Sequence, residues 1–108
     1  MIIRSFKIQP KVAEKIFRKH NVLLEEIYDV LKNDRPLFRR VGGDQYVAIG
    51  NGRSRHITIF FTYDLQSKEA DITTAYPSDK KQIMFYKGAK NETKNGFGKT
   101  GGSQFQDR

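Results

Sequence analysis

The chain of 108 residues contains no cysteine, so neither disulfides nor thiolate metal sites are open to it. Histidine is almost as scarce, with two copies. Neither has a carboxylate or second histidine at ligand spacing, so metal chemistry is not expected. No apolar run approaches membrane-spanning length. The opening MIIRSFKI is too short and too interrupted by charge to act as a secretory signal. A soluble, cytoplasmic protein with no membrane partner is expected. No internal repeat is visible, and the length suits one domain with a single modest core.

Acidic residues are also short, twelve against twenty basic ones. The net charge is +8, with a pI of about 9.8 and a mean hydropathy of −0.67. This balance points to a polyanion such as nucleic acid, with an acidic protein as the competing partner. Residues 88–108 hold four basic and two acidic residues, so most of the charge belongs to residues 1–87. That tail is rich in Gly, Lys, Asn, Thr, Ser and Gln and is expected to be disordered. Its GFGKTGG run is not a phosphate loop: the motif's first glycine falls at Thr93, and no apolar strand precedes it.

Residues 2–8 read as a short strand with Ile2, Phe6 and Ile8 on one face. Pro10 suits the first turn of a helix running to Lys19 or His20. Val12 and Ile16 supply its buried stripe, with Phe17 a further candidate, and Asn21 suits the left-handed residue that ends it. Leu23, Leu24, Ile27, Val30 and Leu31 mark a second helix over 23–33, with Glu25 and Glu26 at its positive end. Four strands follow, at 37–41, 45–49, 55–63 and 69–76, separated by turns rich in Gly, Asn and Asp. On the third of these, Ile57, Ile59 and Phe61 oppose His56, Thr58, Phe60 and Thr62. A final helix over 78–87 carries Ile83, Met84 and Tyr86. The pattern predicts an α+β fold: two N-terminal helices and a C-terminal helix packed on one face of a twisted, mainly antiparallel sheet of four to five strands.

Ile72–Lys81 concentrates the chemistry. The strand should stop at Pro77, which cannot donate to a ladder. Ser78 or Asp79 can then cap a helix whose first turn carries Lys80 and Lys81. A hydroxyl, a phenol and two ammonium groups thus gather at a helix N-terminus, a setting that favours anions. An RNA phosphate site is the expectation. Tyr76 is a candidate proton donor or stacking platform, and Thr74 lies on the same strand. GNGRSRH places Arg53 and Arg55 as phosphate contacts and His56 as a proton exchanger. His20 is a candidate of the same kind at a helix end. Metal-independent RNA cleavage asks for little more: a base for the 2′-hydroxyl, an acid for the leaving 5′-oxygen, and cations around the phosphate. No cofactor is needed.

Two stretches carry a family resemblance. Pro10-Lys11-Val12-Ala13 through Arg18-Lys19-His20-Asn21-Val22-Leu23-Leu24-Glu25-Glu26 resembles the opening of BrnT-like toxins, where a Lys-His-Gly-Val segment precedes a Glu-Glu helix. Ile72–Pro77, ending Thr-Ala-Tyr-Pro, resembles the terminal strand of ribonuclease toxins in the wider barnase–EndoU–colicin–RelE group. The resemblance covers residues 2–87. It implies a RelE-like fold and a ribonuclease toxin of a type II toxin–antitoxin pair. The implied partners are RNA (messenger RNA, free or on the ribosome) and a cognate antitoxin. By position it carries over His20, Arg53 or Arg55, Thr74 and Tyr76. The chain departs from BrnT-like sequences at three places. Leu23 replaces a Ser or Thr cap, Tyr76 stands where arginine is common, and Gln82 replaces a glutamate. Other readings of the sequence are a catalytically inactive RNA-binding or regulatory module on the same fold, and an interaction domain for an acidic protein.

Overall fold

The computed structural model describes residues 1–33, 35–52 and 54–95. After a short strand β1 (Ser5–Lys7) come the helices α1 (Pro10–His20) and α2 (Leu24–Tyr28), the latter widening into a π-helical turn at Asp29–Asn33. Four longer strands follow, β2 (Leu37–Gly42), β3 (Gln45–Asn51), β4 (His56–Asp64) and β5 (Glu69–Pro77), and then α3 (Lys80–Asn95). The sheet runs in the order β1-β5-β4-β3-β2. Strands β2 to β5 form an antiparallel meander, and β1 lies parallel to β5.

The local signals explain most boundaries. Pro10 opens α1, where a missing N–H is harmless. Asn21, at φ 57°, closes α1 by donating its N–H to the Phe17 carbonyl. Gly43, at φ 57°, provides the left-handed residue of the β2–β3 turn. The Gly52 N–H donates to the Arg55 carbonyl at 2.8 Å and closes the next hairpin.

The core has two sides. Ile57, Ile59 and Phe61 of β4 pack with Ile16 of α1 and with Ile27 and Val30 of the second helix. On the opposite face Val47 and Ile49 of β3 pack with Tyr86 of α3, flanked by Leu37, Phe60 and Phe85. The expectation that all helices share one face is therefore corrected. Strand β3 is apolar on both sides and β4 adds Phe60 to the second, so that side also needs a cover, and α3 supplies it. Helix α3 also continues to Asn95, past the expected end at residue 87. The remainder of the expected disordered tail lies outside the described residues.

Two smaller expectations also shift. Strand β1 is three residues long; Ile3 packs against the core, and Ile2 is exposed. Phe17 does not join the buried stripe of α1 and is 50% exposed. Thr73 has no opposite residue on β4, because the register shifts between Phe60 and Phe61. No helix among the described residues is long and apolar enough to cross a membrane.

Ile59 is fully buried on the central strand, whereas Val41 is 54% exposed on the edge strand β2. Ile59→Ala is expected to lower the unfolding free energy by about 2–5 kcal/mol. Val41→Ala should change it by less than about 0.5 kcal/mol. Urea denaturation of the two variants checks the contrast.

Candidate active site

The strand β5 brings Tyr76 opposite Thr58 of β4, on the face covered by α3. Strand β1 pairs only with Glu69–Asp71, so the end of β5 that carries Tyr76 lies beyond it. The last residue of α1 reaches this end of the strand: the His20 and Tyr76 rings lie 5.7 Å apart, tilted at 52°. Phe60 backs the phenol from within the sheet at 6.0 Å. Tyr76 and His20 are both half-buried.

Helix α3 starts with a reciprocal cap. The Asp79 carboxylate accepts the Gln82 N–H at 2.8 Å, and Gln82 Oε1 accepts the Asp79 N–H at 3.0 Å. Because a backbone N–H can only donate, this bond fixes which end of the Gln82 amide faces Asp79. Its Nε2 then points at the Tyr76 hydroxyl, 3.2 Å away. Thr58 Oγ1 donates to Gln82 Oε1 at 3.0 Å and lies 2.7 Å from Ser78 Oγ. Thr58 has one proton and gives it to Gln82, so Ser78 is the donor of the second bond. A directed chain results, from Ser78 through Thr58 and Gln82 to the oxygen of Tyr76. Thr58 and Gln82 are both buried, and such a chain strengthens each of its members.

The other sequence candidates take different places. Thr74 pairs with Phe60, two residues before Tyr76 on the same face of β5. The His56 ring packs edge-on against Tyr86 at 5.3 Å, and the His56 carbonyl accepts the Ser78 N–H at 2.9 Å. His56 thus flanks the site through α3, and His20 is the histidine that meets the phenol. Lys80 and Lys81 are exposed in the first turn of α3. Arg53 lies outside the described residues. No group of three or more His, Asp or Glu among the described residues is placed to hold a metal ion.

Arg55 has a structural tie. Its Nε and Nη2 donate to the two oxygens of Glu26, each at 2.9 Å, and Nη2 also donates to the Asn21 carbonyl at 2.6 Å. The Glu26 carboxylate, in a residue only 8% exposed, also accepts the Leu23 N–H at 3.0 Å. In this way Glu26 caps α2 from within, although Leu23 has no side-chain oxygen to do so. The pKa of Arg55 is raised, chiefly by the hydrogen bond to Glu26 and further by its charge, with burial working the other way. A raised cationic pKa gives stability that is full below the unfolded value and is lost only as pH rises past the folded one. The arginine end of the pair therefore stays charged throughout the neutral range.

Sequence reasoning placed Tyr76 beside the α3 N-terminus and named His20 as a separate candidate, and it missed both the meeting of the two rings and Gln82 and Thr58 as the link to α3. The Asp79-x-x-Gln82 spacing is a capping-box signature, and it was the signal available. Glu26 could not be found that way, since its partner Arg55 is 29 residues away. Removing that partner should leave a buried carboxylate without its counter-charge. Arg55→Met is expected to lower stability by about 2–3 kcal/mol, less than for a fully buried pair because 34% of the Arg55 side chain is open to water. Urea denaturation at neutral pH checks this.

No protein-family profile matches the chain, and no curated protein matches it. Among solved structures, the crystal structure of the Brucella abortus ribonuclease toxin BrnT aligns with a TM-score of 0.57 at 13% identity. The alignment covers 70% of this chain and 97% of that one. The order of helices and the five-stranded, mainly antiparallel sheet agree with that likeness. The chain has the fold of a BrnT-like toxin.

Proposed function

We propose that this protein is a metal-independent endoribonuclease toxin of a type II toxin–antitoxin pair. The observation that carries the reading is the meeting of His20 and Tyr76 at the end of β5, in a fold like that of a ribonuclease toxin. The two residues come from elements far apart in sequence, and each has a proton to exchange with an RNA backbone.

The reaction asks the 2′-oxygen to attack the adjacent phosphorus while the bond to the 5′-oxygen breaks. His20 takes the proton of the 2′-hydroxyl as general base. Tyr76 gives its phenolic proton to the departing 5′-oxygen as general acid. The products are a 2′,3′-cyclic phosphate and a free 5′-hydroxyl. Gln82 Nε2 is aimed at the phenol oxygen, where it supports the charge left when the proton departs. Lys80 and Lys81, in the first turn of α3, sit where side-chain charge and the helix N-terminus act together on the phosphate. Thr74 and His56 line the same face of the sheet and complete the polar surroundings. Arg53 remains a phosphate contact in this proposal. Arg55 acts by holding the α1–α2 turn, its guanidinium being bonded to Glu26 and Asn21. Messenger RNA is the proposed substrate and an antitoxin protein the proposed partner.

The test is induced expression of wild type, Tyr76→Phe and His20→Ala in a bacterial host, following growth and total RNA. Cleavage of purified RNA in the presence of a chelator runs alongside. Growth arrest and chelator-resistant cleavage are expected for the wild type. Each variant should lose roughly 10²–10⁴-fold in cleavage rate, the usual share of a single proton-transfer group. Normal growth and intact RNA with soluble wild-type protein would overturn the proposal in favour of a silent RNA-binding module.

A further inference from the structure

Helix α1 has an outward face that the proposed chemistry does not use. Its eleven residues carry four cations, Lys11, Lys15, Arg18 and Lys19, against one carboxylate, Glu14. All five are exposed. Lys11, Lys15 and Arg18 recur at helical spacing and form one stripe along the solvent side. Glu14 reaches Arg18 at 3.8 Å, but both side chains are largely in water, so the contact holds little of the charge back.

Phe17 is the anomaly on this helix. It is 50% exposed, on a helix whose other exposed residues after Pro10 are all charged. It lies three positions before His20, which places the two side chains on one flank of the helix, about 5–6 Å apart at Cβ. His20 in turn has its ring against Tyr76. An open aromatic ring therefore stands one helical turn from the proposed reacting groups, on the flank between His20 and the stripe of cations, with Glu14 between it and the stripe. Bases stack on such rings whatever their sequence, and cations beside them follow the backbone.

We propose that the outward face of α1 is a single-stranded RNA track leading away from the His20–Tyr76 pair. Phe17 is the platform on which one substrate base stacks, and Lys11, Lys15 and Arg18 contact phosphates. This rests on the ribonuclease reading and adds to it a substrate class. A single strand fits because only an unpaired base offers its face to a side chain. An acidic protein would match the charge too, but only an RNA strand on this face would also reach the His20–Tyr76 pair as substrate.

The experiment measures binding of a fluorescein-labelled 2′-O-methyl oligoribonucleotide, which cannot be cleaved, to the full chain across a salt series. Phe17→Ala is expected to weaken binding roughly ten- to hundredfold with the salt slope unchanged. Phe17→Trp should restore it. The triple variant Lys11→Gln, Lys15→Gln, Arg18→Gln should make the slope of log affinity against log salt shallower by about 2. On cleavable RNA all these changes should fall on KM, with kcat kept. Thermal melts of each variant, expected to match wild type, separate lost contacts from lost folding. Wild-type binding that none of the α1 variants alters would overturn the track, leave the ribonuclease reading standing and assign this face to an acidic protein. A wild type that binds no RNA at any salt would overturn both.

Discussion

A carboxylate withdrawn from water must find donors or fold elsewhere, and Glu26 is such a group. It finds them in the Leu23 N–H and in two nitrogens of Arg55. The same guanidinium holds the Asn21 carbonyl. These bonds join the start of the central strand to the turn between α1 and α2. Asn21 immediately follows His20, so the clamp that satisfies Glu26 also fixes where α1 ends. The sheet independently fixes Tyr76, through pairing with Thr58. The closeness of His20 and Tyr76 is thus set by one strand register and one ion pair, and the ion pair involves neither side chain.

Much of this fold could be read from the residue order. Period-two apolar residues gave the four meander strands within a few residues, and Pro10 and Asn21 bounded α1 correctly. The reason is that these signals are local: a turn residue or an alternating strand carries its information within a few positions. The arrangement of α3 could not be read that way. Whether a helix covers one face of a sheet or the other depends on how much apolar surface each face leaves exposed. Here Val47, Ile49 and Phe60 made the second face the one still uncovered. The exposure of Phe17 was hidden for a related reason, because its spacing admits either the margin of the buried stripe or the flank beside it.

The candidate site divides along the same line. Tyr76, His20 and the first turn of α3 were visible because strand end, helix end and cap each leave a sequence mark. Arg55 was read as a phosphate contact from its hairpin position, and its actual partners lie on other elements. Charge alone cannot tell a guanidinium bonded inside the protein from one facing a substrate. The difference lies in whether a buried acceptor is within reach, which is a property of the packed chain.

Two of the departures from BrnT-like sequences turn out to be neighbours. Tyr76 stands where arginine is common and Gln82 where glutamate is expected, and the two are joined by a hydrogen bond of 3.2 Å. An arginine here beside Gln82 would have a neutral amide where a carboxylate would complete it. A glutamate beside Tyr76 would bury an uncompensated charge, since Gln82 is only 7% exposed. Changing both together exchanges a charged pair for a neutral one, and every polar atom keeps a partner. The exchange also alters the chemistry on offer. A guanidinium at position 76 would stabilise phosphate charge without giving up a proton, whereas a phenol held by an amide N–H has a proton to donate. Burial and the neighbouring Asp79 carboxylate both favour a neutral side chain at position 82, and that neutral amide is what leaves an N–H for the Tyr76 oxygen.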